Sequence, residues 1–269
     1  MAIHSILSTT GFNIVPCYGL TLDVDKKSFA LVLELMKYNL REFLIQNNSA
    51  ISFTQKIIIL SHIIGALTYI HKSNITHRDL HSMNILYNIK GMWYVGDFGF
   101  SQVEENSKTK VYGNLPYIAP EILRKCPYTT SSDIYSFGIL MWEILIEKPP
   151  FHNREHNNLL MLDIIKGIRP GLVKEPRWYV SIMKRCWDAI PENRPTINEI
   201  VFAQSNKQLF KKSQSKLYSF EDLPEPRNAT EEEQEAYDIQ QQNAFNSNDI
   251  STDMSVKIDS EELYIDIIN

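Results

Sequence analysis

Asp79, Asn84 and Asp97 lie close together in the sequence, and the side chain of each has an oxygen atom that can bind a cation. A protein that moves a phosphoryl group needs metal ions to neutralise charge, a carboxylate near the attacking hydroxyl and rigid positioning. Hard oxygen ligands, few in number, suit Mg²⁺, which keeps several waters and is completed by phosphate oxygens. A lone aspartate near a strand end is nevertheless most often a turn former, so the surrounding residues must decide.

Those surroundings form a series of motifs in a fixed order. Residues 77–84 read HRDLHSMN, and residues 97–99 read DFG. Further along come APE at 119–121, DIYSFG at 133–138 and Arg194. Over about residues 12–204 this set resembles a protein kinase catalytic domain. Residues 141–144, MWEI, and 185–187, RCW, look like the tyrosine-kinase-like group of that family. The resemblance implies an α+β protein-kinase-like fold, with a mostly helical C-terminal lobe and a remnant of the N-terminal β-sheet.

The resemblance also implies roles for the residues that match its motifs. Asp79 would orient the substrate hydroxyl and accept its proton. Asn84 and Asp97 would hold Mg²⁺, and Arg78 would pair with a phosphate on the activation loop. Four hydroxyls of that loop are candidate phosphorylation sites: Ser101, Ser107, Thr109 and Tyr112.

A second group of residues is implied to bind ATP, the cofactor expected together with Mg²⁺. Leu33 matches the residue that guards the adenine pocket, and the backbone of Glu34 and Met36 would meet the adenine edge. Leu86 would lie beneath the ring. Each of these apolar residues is equally a plausible core residue.

Two further matches are structural rather than catalytic. His77 is expected to pack under Phe98, which is also the ordinary role of a buried histidine. Glu121 is expected to pair with Arg194, and a buried pair of this kind is costly to break from one side.

The motifs indicate less clearly whether the acceptor hydroxyl belongs to serine, threonine or tyrosine. Serine/threonine kinases typically carry Lys two residues after the catalytic aspartate and tyrosine kinases carry Ala or Arg, whereas this chain has His81. Residues 113–118, GNLPYI, look closer to the serine/threonine form, although Asn114 stands where those enzymes have Thr. Serine and threonine are favoured over tyrosine as acceptors.

The upstream half of the family's ATP site cannot be placed in this chain. No residue before Asp23 is Asp, Glu, Lys or Arg, and the first lysines are Lys26 and Lys27. The glycine-rich loop and the phosphate-gripping lysine are therefore missing, which predicts weak or absent activity. The interpretation favoured here is a truncated form of an active kinase, and the alternative is a pseudokinase that serves as a binding or scaffold module.

Hydrophobic periodicity predicts the elements that must position these residues. Strands are expected at 13–20 and 29–35, paired as a hairpin, and at 84–87 and 93–95, which would bring Asn84 and Asp97 to adjacent strand ends. Helices are expected at 40–45, 54–72, 132–147, 157–166 and 179–187, and from the capping-box residue Thr196 toward 204. The apolar run at 57–70 reads as a buried helix rather than a membrane span.

Composition divides the chain in two. The formal net charge is −5, and the acidic excess lies after residue 204. Residues 1–204 are expected to form the kinase domain (N-lobe remnant 1–35, hinge and C-lobe 36–204), and residues 205–269 an acidic, largely disordered tail.

Composition also bounds the partners. The 3 cysteines have no metal-binding spacing, no basic excess supports nucleic-acid binding, and no signal peptide or membrane insertion is indicated. The expected partner is a protein substrate in the cytoplasm. A partner or missing segment would cover the exposed N-lobe sheet edge.

Overall fold

The computed structural model describes residues 2–10, 12–23, 27–46, 51–103, 111, 113–171, 176–205, 228–237 and 239. The predicted α+β class is confirmed. The helices are α1 (Ala2–Thr10), α2 (Leu40–Gln46), α3 (Phe53–Lys72), α4 (Pro120–Leu123), α5 (Thr130–Ile146), α6 (Asn158–Ile165), α7 (Arg177–Cys186) and α8 (Ile197–Ser205). The strands are β1 (Cys17–Asp23), β2 (Ser28–Leu33), β3 (Tyr38–Asn39), β4 (Ile75–Thr76), β5 (Ile85–Tyr87), β6 (Trp93–Val95) and β7 (Gln102–Val103).

The strands pair in small antiparallel sheets. β1 pairs with β2, β5 lies between β3 and β6, and β4 pairs with β7. The predicted hairpin is confirmed, but β1 begins at Cys17 rather than at Asn13. The physical reason is that Asn13 and Val15 bond to β6 instead, through Val95 N–H to Asn13 O at 2.7 Å and Val15 N–H to Val95 O at 3.0 Å.

Helix α3 is the long apolar helix predicted at 54–72. It begins with a capping box in which Ser52 and Gln55 satisfy each other's backbone N–H groups. By length and composition it could cross a membrane. Its buried residues, among them Ile59, Ile63 and Leu67, lie in the main hydrophobic core, so it is accounted for as a core helix.

Helix α5 runs through the core, and residues 132–144 are all buried. Its closest approach is to the end of α7. A Cβ on Gly138 would lie 2.9 Å from the Cβ of Cys186 and 3.1 Å from the backbone N of Trp187. Any larger residue at 138 would push these helices apart, which explains the glycine in the motif at 133–138.

Helix α1 was not predicted. Its residues include no acidic or basic side chain at either end, and several serines and threonines weaken its helical propensity. Tertiary contact supports it instead: Leu7 is fully buried, and His4 Nε2 bonds to Val15 O at 2.8 Å.

The acidic tail also differs from expectation at residues 228–237. This segment packs on the helical lobe, residues 231–237 are helical, and Gln234 is 3% exposed. Composition alone predicted disorder, but specific side-chain contacts order the segment. The rest of the tail, apart from Ser205 at the end of α8 and Ile239, lies outside the described residues.

The β1–β2 hairpin exposes apolar surface. Leu20, Phe29 and Leu22 are each more than half exposed, and Tyr18 is 68% exposed. A two-stranded sheet with such a face is marginal in water unless something covers it.

Candidate active site

The two central loops are joined at the ends of β5 and β6. These strands form because the turn between them suits Asn88 and Gly91: the Asn88 side chain accepts the backbone N–H of Lys90 and Met92, and Gly91 has φ +87°. Just before β5, Asn84 O accepts the N–H of Gly96 at 2.9 Å. Asn84 and Asp97 therefore lie at adjacent strand ends, as the sequence predicted.

Asp79 is held by three neighbours. Asn84 donates its amide Nδ2–H to Asp79 O at 2.9 Å and to Asp79 Oδ2 at 3.2 Å. His81 Nε2 lies 3.4 Å from Asp79 Oδ1, and the Asp79 N–H points to His77 Nδ1 at 3.3 Å. The carboxylate is thus fixed in position, with a side chain that is 10% exposed.

The same neighbours decide the charge of this carboxylate. Burial alone would raise the pKa of Asp79, but the hydrogen bond and charge of His81 and the hydrogen bond from Asn84 together hold that pKa below its ordinary value. Asp79 is therefore ionised at neutral pH and can accept a proton.

Gly113 approaches Asp79 from the segment that follows the activation loop. Its φ is +116°, and a Cβ there would lie 3.2 Å from Asp79 Oδ1. Only glycine fits such a position without strain. A small cleft beside Asp79 is lined by Gly113, Asn114 and Ile118 among others.

His77 and Phe98 pack together beneath the site. Their ring centroids are 5.0 Å apart, as predicted, and Phe98 is 5% exposed. His4 of α1 also lies 5.0 Å from the Phe98 ring. The role of His4 was not predicted, because nothing in the sequence of α1 indicates which loop it will contact.

A pH-dependent loss of stability is expected from His77. Its Nε2 bonds to Gly96 O at 3.0 Å in a fully buried site, and burial lowers its pKa. The folded state therefore resists protonation, so the stability from His77 is complete above the unfolded pKa of about 6.5 and is lost as pH falls toward the folded value. The free energy of unfolding, measured in urea from pH 7.5 to 5.5, is expected to fall more steeply for the natural chain than for His77→Gln.

The difference in unfolding free energy between the two proteins should change by at most about 1.4 kcal/mol per pH unit, the value for one proton. The gap between the two proteins should narrow as the pH falls. A gap that stays constant across the range would contradict a neutral buried His77.

Asn84 and Asp97 offer hard oxygen atoms to a cation. The Asn84 Nδ2 atom is committed to Asp79, so this side chain can offer its carbonyl oxygen. Asp97 is exposed in a left-handed conformation (φ 58°), with Oδ1 accepting the Gly99 N–H at 3.1 Å. Within the described residues no cluster of three His, Cys, Asp or Glu side chains could hold a metal. Two oxygen donors fit Mg²⁺, which takes its remaining ligands from water and phosphate.

The residues implied for adenine binding lie around the segment after β2. Glu34 N–H donates to Pro16 O at 2.9 Å, so only its carbonyl oxygen remains for a ligand. Leu33 is 39% exposed, and Met36 and Leu86 are half-buried. A Cβ on Gly96 would lie 3.0 Å from Leu86 Cδ1 and from Val15 Cγ2. Leu86 therefore lies directly against the backbone that leads into Asp97.

Arg78 lies at the junction of the catalytic loop and α5. Its backbone N–H donates to Asp133 Oδ1 at 3.0 Å, and its guanidinium bonds to Gln102 Oε1 at 2.7 Å. Its Nε is buried without a hydrogen-bond partner. Ser101 is 6% exposed and bonds to His77 O, so it is poorly placed for phosphorylation. Ser107, Thr109 and Tyr112 lie outside the described residues.

The predicted pair of Glu121 and Arg194 is present. Two guanidinium N–H groups donate to the two carboxylate oxygens at 2.7 Å each. Arg194 also bonds to Asp188 O and Ser131 O and stacks on the Tyr135 ring at 5.2 Å. The pair therefore ties the segment after the activation loop to the end of the domain.

A second buried network was not predicted. Arg41 on α2 donates to Glu143 on α5 at 2.6 Å and to the Tyr117 hydroxyl at 2.7 Å. Glu143 also accepts from Ser82 at 2.9 Å and from Tyr117. Burial raises the pKa of Tyr117 well above its ordinary value, and Glu143 acts in the same direction, so the phenol remains a donor. The partners lie far apart in sequence, which hid the network.

Comparison with known proteins gives this geometry a context. A family model described as protein tyrosine and serine/threonine kinase matches residues 3–203. A serine/threonine-protein kinase/receptor of Acanthamoeba polyphaga mimivirus is 35% identical over 199 residues, covering 70% of this chain and 12% of that protein. The serine/threonine-protein kinase mos of Patiria pectinifera is 32% identical over 212 residues, covering 75% of this chain and 58% of that protein.

A third relative carries an additional domain. A LIM domain-containing serine/threonine-protein kinase of Dictyostelium discoideum is 31% identical over 204 residues, covering 74% of this chain and 31% of that protein. The chain thus spans less than two thirds of the length of each of these relatives.

Proposed function

This chain belongs to the protein tyrosine and serine/threonine kinase family, and on that basis we propose that its protein transfers a phosphoryl group from ATP to serine or threonine side chains of protein substrates. The observation that carries the proposal is the fixed carboxylate of Asp79, held by Asn84 beside the loop that bears Asp97. We further propose a place in the tyrosine-kinase-like group and a cytoplasmic location.

Asp79 is proposed to receive the substrate. Its low pKa keeps it ionised, so it can accept a hydrogen bond from an incoming hydroxyl and take its proton as the new bond to phosphorus forms. His81 and Asn84 hold the carboxylate while this happens. Gly113 leaves room for the hydroxyl because it adds no side chain beside Asp79 Oδ1.

Asn84 and Asp97 are proposed to hold Mg²⁺, and Leu33, Glu34, Met36 and Leu86 to surround the adenine of ATP. The metal, when bound, would neutralise charge on the phosphates. The contribution of the chain is positional: the Asn84 O to Gly96 N–H bond fixes the two metal-binding loops to each other.

Preference for serine and threonine is supported by the relatives, because the three described above are named as serine/threonine kinases. Tyr117 lines the cleft beside Asp79 and is tied to Glu143 and Arg41, so one wall of that cleft is fixed in position.

A binding module without catalysis is the second candidate. One structural feature favours it: the β1–β2 hairpin exposes Leu20, Leu22 and Phe29, an apolar face that suits a protein partner. Nucleotide binding together with phosphotransfer would support the enzyme, whereas partner binding without phosphotransfer would support the module.

Phosphotransfer from γ-labelled ATP to a mixture of serine, threonine and tyrosine peptides tests the proposal. We expect Mg²⁺-dependent label on serine and threonine, because the proposed metal ligands act only with the cation present. Label on tyrosine alone would contradict the acceptor preference. Absence of transfer by a protein that binds Mg-ATP would favour the module.

A further inference from the structure

Residues 228–237, here called the tail segment, pack against a surface far along the chain from the active-site motifs. That surface, here called the tail groove, consists of residues 167–171, Asp163, Lys184, Trp187 and Asp188. The tail segment follows α8 after residues 206–227. Its contacts are specific enough to show what the groove recognises.

The central contact is between Gln234 and the backbone of Arg169. The Arg169 N–H donates to Gln234 Oε1 at 3.1 Å, and the Gln234 Nε2–H donates to Arg169 O at 2.9 Å. With the segment in place Arg169 is 4% exposed, and these two bonds satisfy both of its backbone groups away from water. A primary amide is the side chain that can donate to one backbone group and accept from the other at once.

The groove side of this contact is held by side-chain contacts within the lobe. The Arg169 side chain donates to Trp187 O at 3.0 Å, Ile164 O at 3.0 Å and Ile168 O at 2.8 Å. Its guanidinium also lies 5.1 Å from the Tyr135 ring of α5. Because these contacts lie within the lobe, they hold the backbone of Arg169 in position, and Gln234 bonds to it there.

Flanking contacts set the direction of the segment. Before Gln234, Ala229 N–H donates to Gly167 O at 3.2 Å and Lys184 pairs with Glu231 at 2.8 Å. After it, the Tyr237 hydroxyl donates to Asp163 at 2.8 Å, with Arg154 5.5 Å from the Tyr237 ring. The acidic helix therefore lies between two basic side chains of the lobe, Lys184 and Arg154.

The segment supports its own helical form. Thr230 N–H donates to Glu233 Oε2 at 2.7 Å, and Glu233 N–H donates to Thr230 Oγ1 at 3.2 Å. This capping box starts the helix that carries Gln234. The recognised element is thus a capped helical turn with one buried glutamine.

We propose that the tail groove is a peptide-docking site, that its ligand is the chain's own segment 228–237, and that Gln234 is the residue by which the groove recognises it. The proposal is independent of catalysis. Gln234 is the buried side chain among the described residues of the segment, and the Lys184–Glu231 pair is 40% and 77% exposed. Gln234 is therefore the main contact of the docked segment, and the flanking contacts orient it.

Hydrogen exchange on the full chain tests whether Gln234 holds the segment. In Gln234→Ala the Arg169 amide loses its acceptor. In the isosteric Gln234→Glu the side chain loses the N–H that bonds to Arg169 O and places a carboxylate against that oxygen, so the segment should leave. In both variants the Arg169 amide is expected to exchange about tenfold faster or more. Glu232→Ala changes an exposed position of the same helix and is the matched control. In this variant the Arg169 amide should exchange at the same rate as in the natural chain. Retained protection in α3 checks that the variants are folded. Unchanged exchange of Arg169 in both Gln234 variants would overturn the proposal.

A labelled peptide of residues 228–239 tests recognition in trans. It is expected to bind the full-chain Gln234→Ala protein at least about tenfold more tightly than the natural chain, whose groove is occupied by a tethered competitor. The same peptide with Ala at the glutamine should not bind either protein. Failure of the natural peptide to bind the Gln234→Ala protein at about 1 mM, or equal binding of both peptides, would overturn the proposal.

Discussion

Replacing Asp79 by Asn is expected to slow phosphoryl transfer by about 10²–10⁴-fold, the usual contribution of a positioned acid or base. Asn has the shape of Asp but cannot accept the proton of the substrate hydroxyl. The affinity for Mg-ATP should stay close to that of the unsubstituted protein, because Asp79 is not among the proposed metal ligands. Single-turnover transfer and nucleotide titration on the same preparations measure the two effects separately.

Glu192→Gln provides the matched control. It removes an exposed carboxylate in a short turn near Arg194 and should leave the rate unchanged. An Asp79→Asn protein that retains most of its rate would remove Asp79 from the proposed chemistry. A loss explained wholly by weaker nucleotide binding would do the same.

Replacing Glu121 by Ala is expected to cost about 3–5 kcal/mol of unfolding free energy. Arg194 would then keep its charge in a site where its side chain is fully buried, without the carboxylate that it now meets in two hydrogen bonds. Arg194→Ala should cost a similar amount, since Glu121 would be left buried and unpaired. Urea unfolding of each variant measures the cost.

Two comparisons separate charge from packing. The double variant Glu121→Ala and Arg194→Ala should cost clearly less than the sum of the single changes, because neither charge is then left alone. Arg185→Ala removes an exposed partner of Glu199, 3.6 Å away, and should cost about 0–1 kcal/mol. A Glu121→Ala cost as small as that of Arg185→Ala would show that the buried pair contributes little.

Much of this fold follows from local signals. The turn at Asn88 and Gly91 and the capping boxes at Ser52 and Thr196 place strands or helices within a few residues of where the structure has them. Local chemistry of that kind acts over three or four residues, so it can be read directly from the sequence.

The missed elements depend on contacts between distant residues. Arg41 lies about a hundred positions before its partner Glu143, and no local pattern links them. Helix α1 is held by Leu7 and His4 in the core rather than by strong helix formers.

The tail segment differs from these elements, because its own sequence contains a local signal for a helix. Residues 230–233 read TEEE, the same capping-box pattern that was recognised at Thr196. The acidic composition of residues 205–269 nevertheless predicts disorder. Disorder follows from composition only when no side chain satisfies a specific buried partner, and Gln234 does so at Arg169.

In the candidate site, too, some features follow from local motifs and others depend on contacts between distant residues. The motifs place Asp79, Asn84 and Asp97, but not the groups that tune them. Gly113 and His4 contact Asp79 and Phe98 through the tertiary fold, and Gly113 was signalled only as part of the segment before Ala119. The sequence thus predicted which residues meet, and the structure adds why their positions are fixed.

The measurement that tests the central claim most directly is the melting temperature with Mg-ATP, with ATP in EDTA, and without nucleotide. It is made on the natural chain and on Asp97→Asn. A ligand that binds only the folded state must raise the melting temperature. We predict a rise with millimolar Mg-ATP that is much reduced in EDTA and lost in Asp97→Asn. No rise in the natural chain, or the same rise with and without Mg²⁺ and in both proteins, would contradict a metal-nucleotide site at Asn84 and Asp97.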